Sequence, residues 1–161
     1  MNNTETPQQE SAKTYLIPRQ RLSLIRDGSL QSTWKRFSGS HAVFAFALEE
    51  LYADADREQF HVLMVDSENQ LIGVNLVSQG SLSSSVVCPR EVYKAAILAN
   101  SAAVIFTHNH PSGCPEPSQE DRNCTSRLVQ AGKVLGIRVL DHVVVGQEAF
   151  FSFADSGLLA S

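Results

Sequence analysis

His108-Asn109-His110-Pro111, with Ser118 and Asp121 close behind, gathers two imidazoles, a hydroxyl and a carboxylate into one short stretch of chain. The group follows the apolar run Ala102-Ala103-Val104-Ile105-Phe106. If that run is a buried strand, His108 and His110 stand two residues apart and project to the same face. The next helix then brings Asp121 to the same point. Two neutral imidazoles and one carboxylate are three protein ligands, a set that for zinc leaves a fourth position open to water. The pattern predicts a hydrolytic metal centre.

Each part has a plainer use. A His-x-His pair is common at strand ends. Ser118-Gln119-Glu120-Asp121 is a sound helix start, with Ser118 as N-cap and Asp121 at the third helical position, where a carboxylate suits the helix dipole. The two uses of Asp121 are compatible, because a cap fixes where the first turn points. A hydrolytic centre also needs a general base for the proton of the attacking water. Glu58, Glu68, Glu91, Glu116 and Asp141 all stand near strand edges. Glu58 directly precedes an apolar strand, although spacing alone makes it an ordinary solvated residue of Asp54-Ala55-Asp56-Arg57-Glu58.

The elements that must position these groups are legible in outline. Val43, Phe44, Ala47, Leu48 and Leu51 recur at helical spacing, with Ser40 as a candidate cap. Phe60–Val65 and Leu71–Val77 read as a hairpin around Asp66-Ser67-Glu68-Asn69. A loop and a short further strand are expected over 79–86. Pro89 opens a helix through Ala99, and Ala102–Thr107 is the buried strand. Pro111 to Pro117 is too rich in proline and glycine for regular structure. A helix over Ser118–Leu135 stops at Gly136, then Ile137–Val145 and Phe150–Phe153 read as strands. Adjacent Asp141 and His142 on the first of these face opposite ways, so at most one points at the metal pocket; bonding between layers is their expected role. Arg90, at a helix start, reads as a salt-bridge partner or a loop or substrate anchor. Strands before and between helices imply an α/β sandwich with a mixed sheet.

Composition sets bounds. The chain has 161 residues, 43% of them hydrophobic, enough for one domain with a short extension. No apolar run approaches the roughly 20 residues that span a bilayer, and Met1–Gln20 carries no signal segment. Cys88, Cys114 and Cys124 are too few and irregular for a disulfide framework, which fits a reducing cytoplasm. Residues 1–40 hold six basic and three acidic side chains, leaving seven basic and fourteen acidic for the rest. An acidic body argues against a nucleic-acid interface. Residues 1–12 are too polar to fold alone, and Tyr15-Leu16-Ile17 is the first anchor expected. The domain reading is an extension over 1–39, partly disordered, and a single α/β domain over 40–161, the one that carries the resemblance described next.

Taken together, Glu58-Gln59-Phe60, His108-Asn109-His110-Pro111-Ser112-Gly113, Pro117-Ser118 and Asp121 resemble the signature of the JAMM (JAB/MPN) metalloproteases. Pro89-Arg90-Glu91, the stretch Thr107–Gly113 and Leu140-Asp141-His142 resemble its RadC-like branch. The resemblance runs from about Ser40 to Phe153. It implies a three-layer α/β/α sandwich similar to cytidine deaminases, Zn2+ held by His108, His110 and Asp121, Glu58 as acid/base, and Ser118 as a hydrogen-bond donor to the oxyanion or water. The implied activity is cleavage of a peptide or isopeptide bond in a protein or peptide substrate. The alternative is a DNA repair or mobile-element accessory protein whose metal site is structural or vestigial. A deaminase is disfavoured because the His-x-Glu and Pro-Cys-x-x-Cys patterns are absent. Two departures stand out. Cys114 replaces an aspartate usual in the branch, either as an inert loop thiol or as a thiolate reaching the zinc. Residues 1–40 show no helix-hairpin-helix copy, which weakens the DNA expectation. The substrate's identity and the oligomeric state are not read from the sequence.

Overall fold

The computed structural model describes residues 16–30, 32–80 and 87–159. The disorder expected of residues 1–12, the anchor Tyr15, and most of the loop and short strand expected over 79–86 lie outside the described residues. Leu16 and Ile17, expected to anchor with Tyr15, are exposed instead. Pro18 follows them directly, and no strand forms there to bury them.

The elements are α1 (Ser40–Phe46) with a π turn over Ala47–Leu51, β1 (Gln59–Val65), β2 (Leu71–Gln79), α2 (Pro89–Leu98), β3 (Ala103–Asn109), α3 (Gln119–Leu135), β4 (Arg138–Val145) and β5 (Phe150–Ser152). The sheet order is β2-β1-β3-β4-β5. β3 and β4 run parallel, while every other neighbouring pair is antiparallel. The sheet is therefore mixed.

β1 and β3 are near-continuous apolar runs because both of their faces are covered. Alternate residues enter separate cores. Phe60, Val62, Met64, Val104 and Phe106 meet Val92, Tyr93 and Ala96 of α2 and Leu128 of α3. Leu63, Ile105, Val143 and Val145 meet Val43, Phe46 and Ala47 on the other side. The result is an α/β/α sandwich with three α-helices among the described residues. Burial of each core phenylalanine stabilises by about 1.5–3 kcal/mol.

Local details depart from simple periodicity. Gly39, not Ser40, is the N-cap of α1, and the Ser40 hydroxyl is bonded to Asp155 instead. Leu48 is exposed although its spacing placed it in the core. The π turn adds a residue to the helical repeat and shifts the buried stripe, leaving Ala47 fully inside. Tyr52, which follows, reaches the buried Thr107 at 3.4 Å. α2 and α3 pack closely because Gly132 has no side chain: a Cβ there would lie 2.6 Å from the Tyr93 hydroxyl and from the Ile137 carbonyl. That hydroxyl donates to the Leu128 carbonyl at 2.8 Å.

Candidate metal centre

β3 runs two residues past its expected end and takes His108 and Asn109 into the sheet. His108 pairs with Phe60 on one side and Val144 on the other, and it is completely buried. His110 lies just beyond, anchored where its amide donates to the Val145 carbonyl at 2.8 Å. The loop after it is tied to the β4–β5 turn by Gln147 N–H donating to the Gly113 carbonyl at 3.2 Å. Gly146 permits that approach, since a Cβ there would collide with the same carbonyl oxygen.

Asp121 arrives by the capping box. Its amide donates to Ser118 Oγ at 3.1 Å, and its Oδ2 accepts from the Ser118 amide at 2.8 Å and the Ser118 hydroxyl at 2.6 Å. The carboxylate is thus aimed before any ligand binds. α3 ends on Gly136 in the left-handed region, as the sequence predicts.

The three side chains converge. His108 Nε2 is 3.0 Å from His110 Nε2 and 3.4 Å from Asp121 Oδ1, and His110 Nε2 is 3.6 Å from Asp121 Oδ2. Donors about 2.0–2.1 Å from a tetrahedral zinc stand about 3.4 Å from one another. The observed separations bracket that value, with Asp121 offering Oδ1 to His108 and Oδ2 to His110. His110 Nδ1 donates to the Cys114 carbonyl at 2.8 Å, so a neutral His110 turns a bare nitrogen to the centre. A buried cluster of bare nitrogen and carboxylate donors is what a divalent cation satisfies, and the residues fit one. Cys114 contributes its carbonyl, not its thiol; the sulfur is not part of the group.

Glu58 stands at the rim, its Oε1 4.0 Å from His110 Nε2. The other candidate bases lie elsewhere: Glu68 with Arg36, Glu91 with Lys94, Glu116 with Arg122, and Asp141 bonded to Ser152 and two backbone amides. Arg90 is exposed and forms no ion pair among the described residues. Electrostatics separate the members of the cluster. Burial raises Glu58, with His110 opposing and Asp121 reinforcing. Burial holds His108 down to about 4, so it is a neutral imidazole at neutral pH. His110 is raised, chiefly by the Asp121 carboxylate 3.6 Å from its Nε2. Burial would raise Asp121, but the neighbouring His110 and His108 imidazoles and the bonds from Ser118 outweigh it and hold the carboxyl below its ordinary range.

The second nitrogen of each histidine also has a partner. His108 Nδ1 lies 2.8 Å from His142 Nε2, and His142 Nδ1 lies 2.6 Å from Thr125 Oγ1. Asp141 faces away, so the alternation along β4 decides which of the two points inward. Thr125 and Asn109, to which the sequence analysis gave no role, hydrogen-bond to residues around the cluster. Thr125 carries a signal, since it stands one helical turn after Asp121 on the same face. Asn109 carries a weaker one, a polar residue inside a buried strand.

The RadC-like JAB domain family model matches residues 37–158. A UPF0758 protein of Symbiobacterium thermophilum is 55% identical over 118 residues, covering 73% of this chain and 50% of that protein. A UPF0758 protein of Trichlorobacter lovleyi is 50% identical over 127 residues, covering 79% and 55%. One of Syntrophotalea carbinolica is 46% identical over 124 residues, covering 77% and 54%. The chain spans about half the length of the curated relatives it matches. With this match over most of its length, on a mixed sheet carrying the converging histidines and aspartate, the chain belongs to the RadC-like JAB domain family.

Proposed function

We propose that this chain is a zinc-dependent hydrolase of the JAMM type that cleaves a peptide or isopeptide bond in a protein or peptide substrate. The observation that carries the reading is the near-tetrahedral spacing of His108, His110 and Asp121 with Glu58 4.0 Å from the nearer imidazole. A zinc ion held there would lower the pKa of an attacking water toward about 7 and polarise a scissile carbonyl. Glu58 accepts the water's proton and passes it to the leaving nitrogen. Its burial strengthens it as a base, and its partial exposure leaves it open to solvent at the rim of the cluster. Ser118 donates to the developing oxyanion when its hydroxyl turns from Asp121. The carboxylate keeps the Ser118 amide bond at 2.8 Å when that happens.

Metal analysis beside turnover tests the reading. Wild type and Glu58→Gln should each hold about one zinc per chain, and His110→Ala none. On a panel of peptide and isopeptide substrates, Glu58→Gln should lose about 10²–10⁴-fold in rate. Undiminished turnover in Glu58→Gln, or full zinc in His110→Ala, overturns it.

A further inference from the structure

We propose that Thr125 and His142 are positioning residues: they form a one-way hydrogen-bond chain, starting at the Asp121 backbone carbonyl, that fixes His108 as the tautomer able to ligate a cation. The inference rests on the reading of His108 as a ligand and extends it to two residues that touch no substrate.

The direction follows from counting protons. The Asp121 carbonyl oxygen can only accept, and Thr125 Oγ1 lies 2.6 Å from it. Two oxygens that close need a proton between them, so the single hydroxyl proton of Thr125 lies there. The hydroxyl then offers only lone pairs to His142 Nδ1 at 2.6 Å, and that nitrogen must carry a proton. A neutral His142 therefore has a bare Nε2. It faces His108 Nδ1 at 2.8 Å, so His108 carries its proton on Nδ1. His108 Nε2 is left bare, and it is the nitrogen that points at His110 and Asp121. The reverse order would put the hydroxyl proton toward His142 and leave two bare oxygens in contact. It would also place an N–H on His108 where a cation should sit.

Packing holds the chain in place. His142 stacks on Phe153 with ring centroids 5.0 Å apart and meets Phe60 edge-on at 5.4 Å. A doubly protonated, charged imidazole is disfavoured in that apolar box. Thr125 and His142 are each 1% exposed, so water does not compete for these bonds. Because the chain begins on the residue that supplies the carboxylate ligand, α3 and β3 hold one another's donors in register.

Imidazole nitrogen NMR of the metal-free chain, labelled at histidine, reads the tautomer directly. Wild type and Thr125→Ser should show His108 protonated on Nδ1 and bare on Nε2, and Thr125→Val should lose that single signature. Zinc affinity by chelator competition should fall about 10–100-fold in Thr125→Val and be largely restored in Thr125→Ser. An Nε2–H tautomer in the wild type overturns the chain without any variant, as does a Thr125→Val protein of unchanged affinity. The predicted tautomer with no zinc uptake would support the chain while sinking the metal-centre reading.

Discussion

Asn109 grips the backbone on both sides of Glu58. Its Oδ1 accepts from the Gln59 amide at 2.8 Å, and its Nδ2 donates to the Arg57 carbonyl at 3.1 Å. The Glu58 carbonyl itself accepts from the Gly80 amide at 2.7 Å. The strand that presents the two histidines thereby also sets the position of the residue proposed as base. Asn109→Ala should lower turnover about 100-fold, because misplacement by about 1 Å has that effect. Zinc content should be unchanged, since no ligand is touched. A rate equal to wild type would show that the Glu58 segment holds its place without the clamp.

Glu58 predicts an acid limb in the rate profile and a matching stability effect. A base must be ionised, so turnover falls as pH drops through a pKa above that of an ordinary glutamate. The raised folded-state pKa means that the charged form opposes folding. Any stability that Glu58 contributes is present below the unfolded pKa and is lost as pH rises through the folded one. Glu58→Gln should therefore melt at a higher temperature than wild type at neutral pH, with the gain vanishing below the ordinary glutamate pKa. Thermal unfolding of metal-free protein across pH measures this.

Ser118 is asked to cap a helix and to donate during reaction, and the two roles separate by substitution. Ser118→Ala should destabilise the metal-free fold by about 1 kcal/mol in denaturant unfolding. Ser118→Asn restores a capping acceptor and should recover that loss. It should not recover turnover, because the hydroxyl is gone. Full activity in Ser118→Asn would confine Ser118 to the cap.

Removal of the proposed zinc should lower the melting temperature. Ligand that binds only the folded state at about 100 times its dissociation constant adds about 2.7 kcal/mol. A chelator should abolish that gain in wild type, and zinc should restore it. His110→Ala should respond to neither.

The converging His108–His110–Asp121 group and the sandwich were legible in the sequence because each rests on a local signal. Asp121 is fixed by its spacing from Ser118, and the histidines by strand alternation. The wiring behind them was not, because it depends on β3 lying parallel beside β4: only that register sets His142 opposite Phe106 and within reach of His108. The role of Asn109 likewise appears only once β1 is paired to β3 across fifty residues. Leu48 shows the opposite failure, where a π turn breaks the period the eye extends.

The three donors ride on one strand, loop and helix, His108 through Asp121, whereas Glu58 belongs to a separate hairpin pinned to that unit's edge. On the proposed function, ion capture and turnover are therefore separable inheritances. A descendant of this chain that exchanged its glutamate would forfeit the reaction yet remain a competent holder of the ion, with its architecture undisturbed.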